Sequence, residues 1–145
     1  MKVGGLFMPR RASLNVVMNS DIRDYNASLA DGHKEIADHI CELIAAELPD
    51  AVGRVWHGNP VWFIDSNPIV GYSLKKHGFE VLFWSGQSFS VPGLRPIGKF
   101  KAAGIAVGDI ENANALAPFL SKSFSVQWNY RDLPKLRMLQ KLTDF

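Results

Sequence analysis

Four carboxylates, Asp31, Glu35, Asp38 and Glu42, recur at steps of four, three and four residues, with His39 among them. On a helix this spacing stacks the acids along one side, where hard cations such as iron(II), magnesium and calcium can take two or three oxygens. His39 stands one turn from Glu35 and three residues from Glu42, so it can add a nitrogen ligand. The same acids need no ligand, because carboxylates near a helix start meet the positive end of its dipole and are well solvated. Of the two, the solvated face is the leading reading, because exposed carboxylates rarely make a closed site.

A second group is aromatic. Trp56, Pro60, Trp62, Tyr72 and Trp84 can line an apolar pocket, with Lys75 nearby as an anion contact. Apolar walls with a few polar groups are what small-molecule sites use, although aromatics on alternating strands also serve as plain core. Between the first two tryptophans, His57-Gly58-Asn59-Pro60 reads as a fixed turn: Gly58 is permissive and Pro60 holds Asn59 extended. At least one of Trp56 and Trp62 is therefore expected on a concave surface, near Tyr72 or Trp84.

Signatures of catalysis are weak. Ser73-Leu74-Lys75-Lys76 has the letters of Ser-x-x-Lys but lies on a strand, and His33-Lys34-Glu35 lacks the paired cysteines of a zinc deaminase. Cys41, the single cysteine, reads as a packing residue and forbids an internal disulfide. Lys99, Lys101, Lys122, Arg131, Lys135, Arg137 and Lys141 are spread over loops and tail without a reading module, so no nucleic-acid partner is expected. A non-catalytic binding protein is the expectation.

The elements must position these groups. A chain of 145 residues with 47% hydrophobic content suits one domain with an ordinary core. Its apolar runs are far too short for a membrane span, and Arg10 and Arg11 interrupt any secretory signal, so the cytoplasm is the expected compartment. The formal charge of +2 hides a division: residues 20–50 carry −6 and the remainder +8. Residues 1–20 read as an irregular leader, 21–133 as the domain and 134–145 as a helical tail.

Within the domain, a short helix is expected over Asp21–Leu29 and a longer one over Asp31–Leu48, stopped by Pro49. Ile36, Ile40, Leu43 and Ile44 form its core stripe, opposite the acids. Strands are expected at Arg54–His57, Val61–Ile64, Val70–Leu74, Phe79–Trp84, Ser88–Val91 and Gly104–Val107, with Asp65–Pro68 as a turn. Asp109 should cap a helix to Leu120, Val126–Tyr130 can add a strand, and Pro134 should open a helix holding Leu136, Leu139 and Leu142. The fold class is α+β, with helices packed on one face of an antiparallel β-sheet.

Ala46-Glu47-Leu48-Pro49-Asp50, Trp56-His57-Gly58-Asn59-Pro60-Val61-Trp62, Pro68-Ile69-Val70-Gly71-Tyr72 and Leu82-Phe83-Trp84-Ser85-Gly86 follow one another in order. Pro92-Gly93-Leu94-Arg95, Phe100-Lys101-Ala102-Ala103 and Gln127-Trp128-Asn129-Tyr130 continue the series. Together they resemble the YdhG-like family, domain of unknown function 1801, over about Ile22 to Leu133. The resemblance implies a YdhG-like or frataxin-like fold. Because some members are described as frataxin-like iron chaperones, it also implies iron(II) on Asp31, Glu35, Asp38 and Glu42, handed to an iron-accepting protein. Two departures stand: the first strand carries Arg54 where frataxins continue their acids, and the chain is not acidic overall.

Overall fold

The computed structural model describes residues 20–144. The leader expected at the N-terminus therefore falls outside the described residues, except for Ser20, which opens a helix. Helix α1 spans Ser20–Ala27 and α2 spans Asp31–Glu47. Four strands follow as a meander: β1 Val52–Trp56, β2 Asn59–Ile64, β3 Asn67–Lys75 and β4 Gly78–Phe83. After a 3-10 turn at Gly86–Ser88 come β5 Arg95–Pro96 and β6 Ala103–Val107. Two short helices, α3 Ile110–Asn114 and α4 Ala117–Ser125, lead to β7 Val126–Trp128, a single turn α5 Leu133–Leu136, and β8 Lys141–Asp144.

The main sheet has the order β1-β2-β3-β4-β6-β5, and every pair in it is antiparallel. Helices α1 to α4 cover one face, as the two periodicities require. Ile40 and Ile44 are fully buried, with Ile36 and Leu43 half-buried beside them, against Val70, Tyr72, Phe79, Val81 and Phe83. Burying a large aliphatic side chain contributes about 1.5–3 kcal/mol, so this helix-on-sheet contact is the main cohesive element.

Two tight turns set the register. His57 and Gly58 both have positive φ (53° and 83°), as do Asp65 and Ser66 (50° and 67°), the geometry of two-residue hairpin turns whose twist suits the strands. The first turn is thus shorter than the four residues its composition suggests. Asn59 already pairs with Trp56, and Pro60 with Val55.

Three other expected elements differ. The segment Ser88–Val91 is not a strand, because Ser90 takes a left-handed φ of 60° and Pro92 follows, which breaks any ladder. The helix expected over Asp109–Leu120 divides at Ala115 and Leu116. Asp109 caps α3 by accepting the Asn112 N–H at 2.7 Å, and Pro118 sits in the first turn of α4, where its missing N–H costs nothing. The C-terminal tail is not a helix through Leu142. It stops after one turn at Arg137, whose φ is 57°, and Leu142 lies on β8.

That last correction has a cause in a buried side chain. Asn129 is fully buried, accepts the Gln140 N–H and donates to the Met138 carbonyl at 3.3 Å, drawing the chain into a β7–β8 ribbon. Asn67, also buried, ties the ribbon to the main sheet by donating to the Trp128 carbonyl at 2.9 Å and accepting the Arg131 N–H at 3.1 Å. Among the described residues no helix is long and apolar enough to cross a membrane.

Candidate functional site

The sheet face turned away from α1 to α4 carries the side chains that alternate with the core. On β1 these include Arg54 and Trp56, on β2 Val61 and Phe63, and on β4 Glu80 and Leu82, with Trp84 just beyond. Trp56 stands edge-on to Phe63 with centroids 5.4 Å apart, and 6.2 Å from Trp84 at an interplanar angle of 43°. The Arg54 guanidinium lies 4.4 Å above the Phe63 ring, a cation–π contact that covers the outer side of the array.

Beside the two indoles, which help to line it, lies a groove of about 180 Å³ whose walls also include Val61, Gly71, Leu82, His57, Asn59, Ser73 and Glu80. Gly71 is opposite Val61 in the β2–β3 register. A Cβ there would come within 2.6 Å of the Pro60 carbonyl oxygen and 3.0 Å of a Val61 methyl. The glycine therefore permits close strand contact and leaves that part of the wall without a side chain. A second hollow, of about 330 Å³, lies beside the 86–96 loop, and its walls include no titratable side chain.

The expected aromatic site residues are divided by the sheet. Trp56, Pro60 and Trp84 line the groove. Trp62 is 1% exposed on the helix-covered face, packed 5.9 Å from Tyr72. Tyr72 borders the groove through its main chain, because its ring and hydroxyl lie in the core. Lys75 is exposed at the end of β3, opposite Gly78, and takes no part. Phe63, Gly71 and Leu82 went unnoticed in the sequence, although period-two alternation with Trp56 and Trp84 was the available signal.

Beneath the sheet, Tyr72 belongs to a polar network. Its hydroxyl donates to Asn26 Oδ1, while the Asn26 amide donates to Asp38 Oδ1 at 3.0 Å and contacts Cys41 Sγ at 3.4 Å. Cys41 Sγ is also 3.4 Å from the Tyr72 oxygen. Burial pushes the thiol up to about 11 and raises the Tyr72 hydroxyl as well. Both groups stay protonated at neutral pH, so the network locks α1 and α2 onto β3 and offers no nucleophile.

The acidic helix was the expected metal site. Asp31, Glu35 and Glu42 are exposed, but Asp38 already uses both oxygens: Oδ1 on Asn26 and Oδ2 on Lys34 at 2.7 Å. His39 Nε2 is 2.7 Å from Asn114 Oδ1, an oxygen that can only accept, so this nitrogen carries a proton rather than a ligand lone pair. Among the described residues no three His, Cys, Asp or Glu side chains gather closely enough to hold a metal ion. The arrangement present does not fit a closed iron(II) site. No family model, no curated protein and no solved structure matches the chain.

Proposed function

We propose that this protein is a non-catalytic binding module whose exposed sheet face takes a small, flat apolar ring system carrying one hydrogen-bonding group. The observation that carries this reading is the pair Trp56 and Trp84, set 6.2 Å apart and lining a groove with Gly71. Half-buried indoles held at the ends of two strands of one sheet lose little conformational freedom on binding, and His57, Asn59 and Ser73 can orient a polar substituent. The volume is below the roughly 300–1,000 Å³ of drug-sized sites, which favours a one- or two-ring compound over a nucleotide or a peptide.

Titration with indole and quinoline, followed by amide and indole N–H shifts in NMR, tests the reading. Shifts concentrated on Trp56, Gly71, Leu82 and Trp84, and lost in Leu82→Gln, are the expected result. Absent or scattered shifts would remove the groove from consideration.

A second reading rests on the resemblance to the YdhG-like family: a frataxin-like fold and an iron(II) chaperone in the cytoplasm, using the exposed Asp31, Glu35 and Glu42. A buried free thiol at Cys41 suits a reducing compartment. The engagement of Asp38 and His39 within the protein weakens this reading relative to the groove.

A further inference from the structure

Two loops that the sequence keeps apart meet beside the β7–β8 ribbon. The Tyr130 hydroxyl accepts the Lys101 N–H at 2.9 Å, and the Phe100 and Tyr130 rings stand at right angles with centroids 6.2 Å apart. The Lys101 ammonium lies 4.6 Å over the Trp128 ring, and that of Lys99 lies 5.3 Å over Phe100. Across the ribbon, Lys141 pairs with Trp128. Phe100 is 39% exposed, a large apolar ring whose cover is the Lys99 side chain. Next to Tyr130, Arg131 contacts the Asp132 carboxylate at 3.4 Å and the Asp65 carbonyl at 2.6 Å.

An exposed ring flanked by lysines matches the alternation of base and phosphate in a single strand. Stacking on aromatics is sequence-tolerant, and cations tracking the backbone supply the rest. An acidic peptide would use the charges but not the ring face. A bilayer would use aliphatic groups such as Leu136 and Met138, which are exposed on the neighbouring loop. We propose that this surface binds single-stranded nucleic acid, one base stacking on Phe100 in place of the Lys99 ammonium, which then meets the phosphates together with Lys101.

Fluorescence anisotropy with a labelled oligo-dT of about 12 nucleotides, a length within the usual site sizes, tests this with the full chain. Saturable binding that weakens as salt rises is expected. Phe100→Leu should weaken it by about fivefold or more and Phe100→Trp should preserve it, since only a ring can stack. Lys99→Glu should weaken it and lower the salt slope by about one. Both positions are exposed, and unchanged thermal melts would confirm that the variants fold. No binding at low salt, or equal binding by Phe100→Leu and wild type, would overturn the proposal. So would phosphatidylserine vesicles that outcompete the oligonucleotide through Leu136 and Met138.

Discussion

The Asp21 carboxylate accepts the N–H of Val55 at 3.0 Å, joining the first turn of α1 to the outer side of β1. β1 is an edge strand, and an unpaired edge N–H is a template for pairing with another chain. A helix side chain has taken that role at Val55, so this N–H is satisfied from within the domain. Asp21→Ala should cost about 1–3 kcal/mol by urea denaturation and promote concentration-dependent association in sedimentation. Asp21→Asn, which keeps an acceptor oxygen, should recover most of the loss. An unchanged midpoint in Asp21→Ala would mean that water serves the N–H equally well.

Alkaline pH should weaken the fold through Cys41. Its thiol is pushed up to about 11 from 9.0 by burial, so the folded state holds its proton after the unfolded chain has lost it. The stabilisation is complete below pH 9 and declines as pH rises toward 11, reaching about 3 kcal/mol for a shift of this size. Raised tyrosine hydroxyls at Tyr25, Tyr72 and Tyr130 act in the same direction. Subtracting the pH–stability curve of Cys41→Ala isolates the thiol. Parallel curves would show that it carries none of the dependence.

Ile40 is fully buried between α2 and the sheet. Ile40→Ala should therefore lower stability by about 2–5 kcal/mol in urea, the range for deleting a buried branched side chain. A loss below about 1 kcal/mol would mean that the neighbouring helices collapse into the gap.

Acrylamide should distinguish the tryptophans. In single-tryptophan variants, Trp56 and Trp84 should be quenched efficiently and Trp62, 1% exposed, hardly at all. If Trp56 resists quenching in the folded protein, the groove is closed in solution and the ligand reading loses its entrance.

Anaerobic calorimetry with iron(II) at micromolar concentration should give flat heats, since Asp38 and His39 are already bonded within the protein. Micromolar binding that vanishes in Asp38→Asn with Glu42→Gln would instead reinstate the acidic helix as the functional element.

The layered architecture was legible where one residue pattern had one solution. The stripe of Ile36, Ile40 and Ile44 and the alternation of Val70, Tyr72 and Leu74 each demanded a cover, and they cover each other. The groove was less legible because its lining is gathered from four strands, and no single stretch of sequence carries it. With only His57 and Gly58 in the turn, Trp56 pairs with Asn59 and Trp62 with Gly53, which puts the two indoles on opposite faces. A four-residue turn, also even in length, would set the same parity, so strand alternation alone already divided the two tryptophans. Contacts such as Asn26 with Asp38 and His39 with Asn114 depend on how separate elements pack, and no local pattern encodes them.

The tie from Asn67 to Trp128 spans 61 residues, whereas the three tight turns of the meander are local. Such a difference orders events in time. Hairpins with short loops close early, while a distant contact must wait until the intervening chain is compact. Residues 126–141 should therefore latch onto an assembled sheet after the rate-limiting barrier, so that Asn67→Ala hastens unfolding and hardly slows folding. Because a nascent chain emerges N-terminus first, the four-stranded meander can assemble while the ribbon that secures it is still being made.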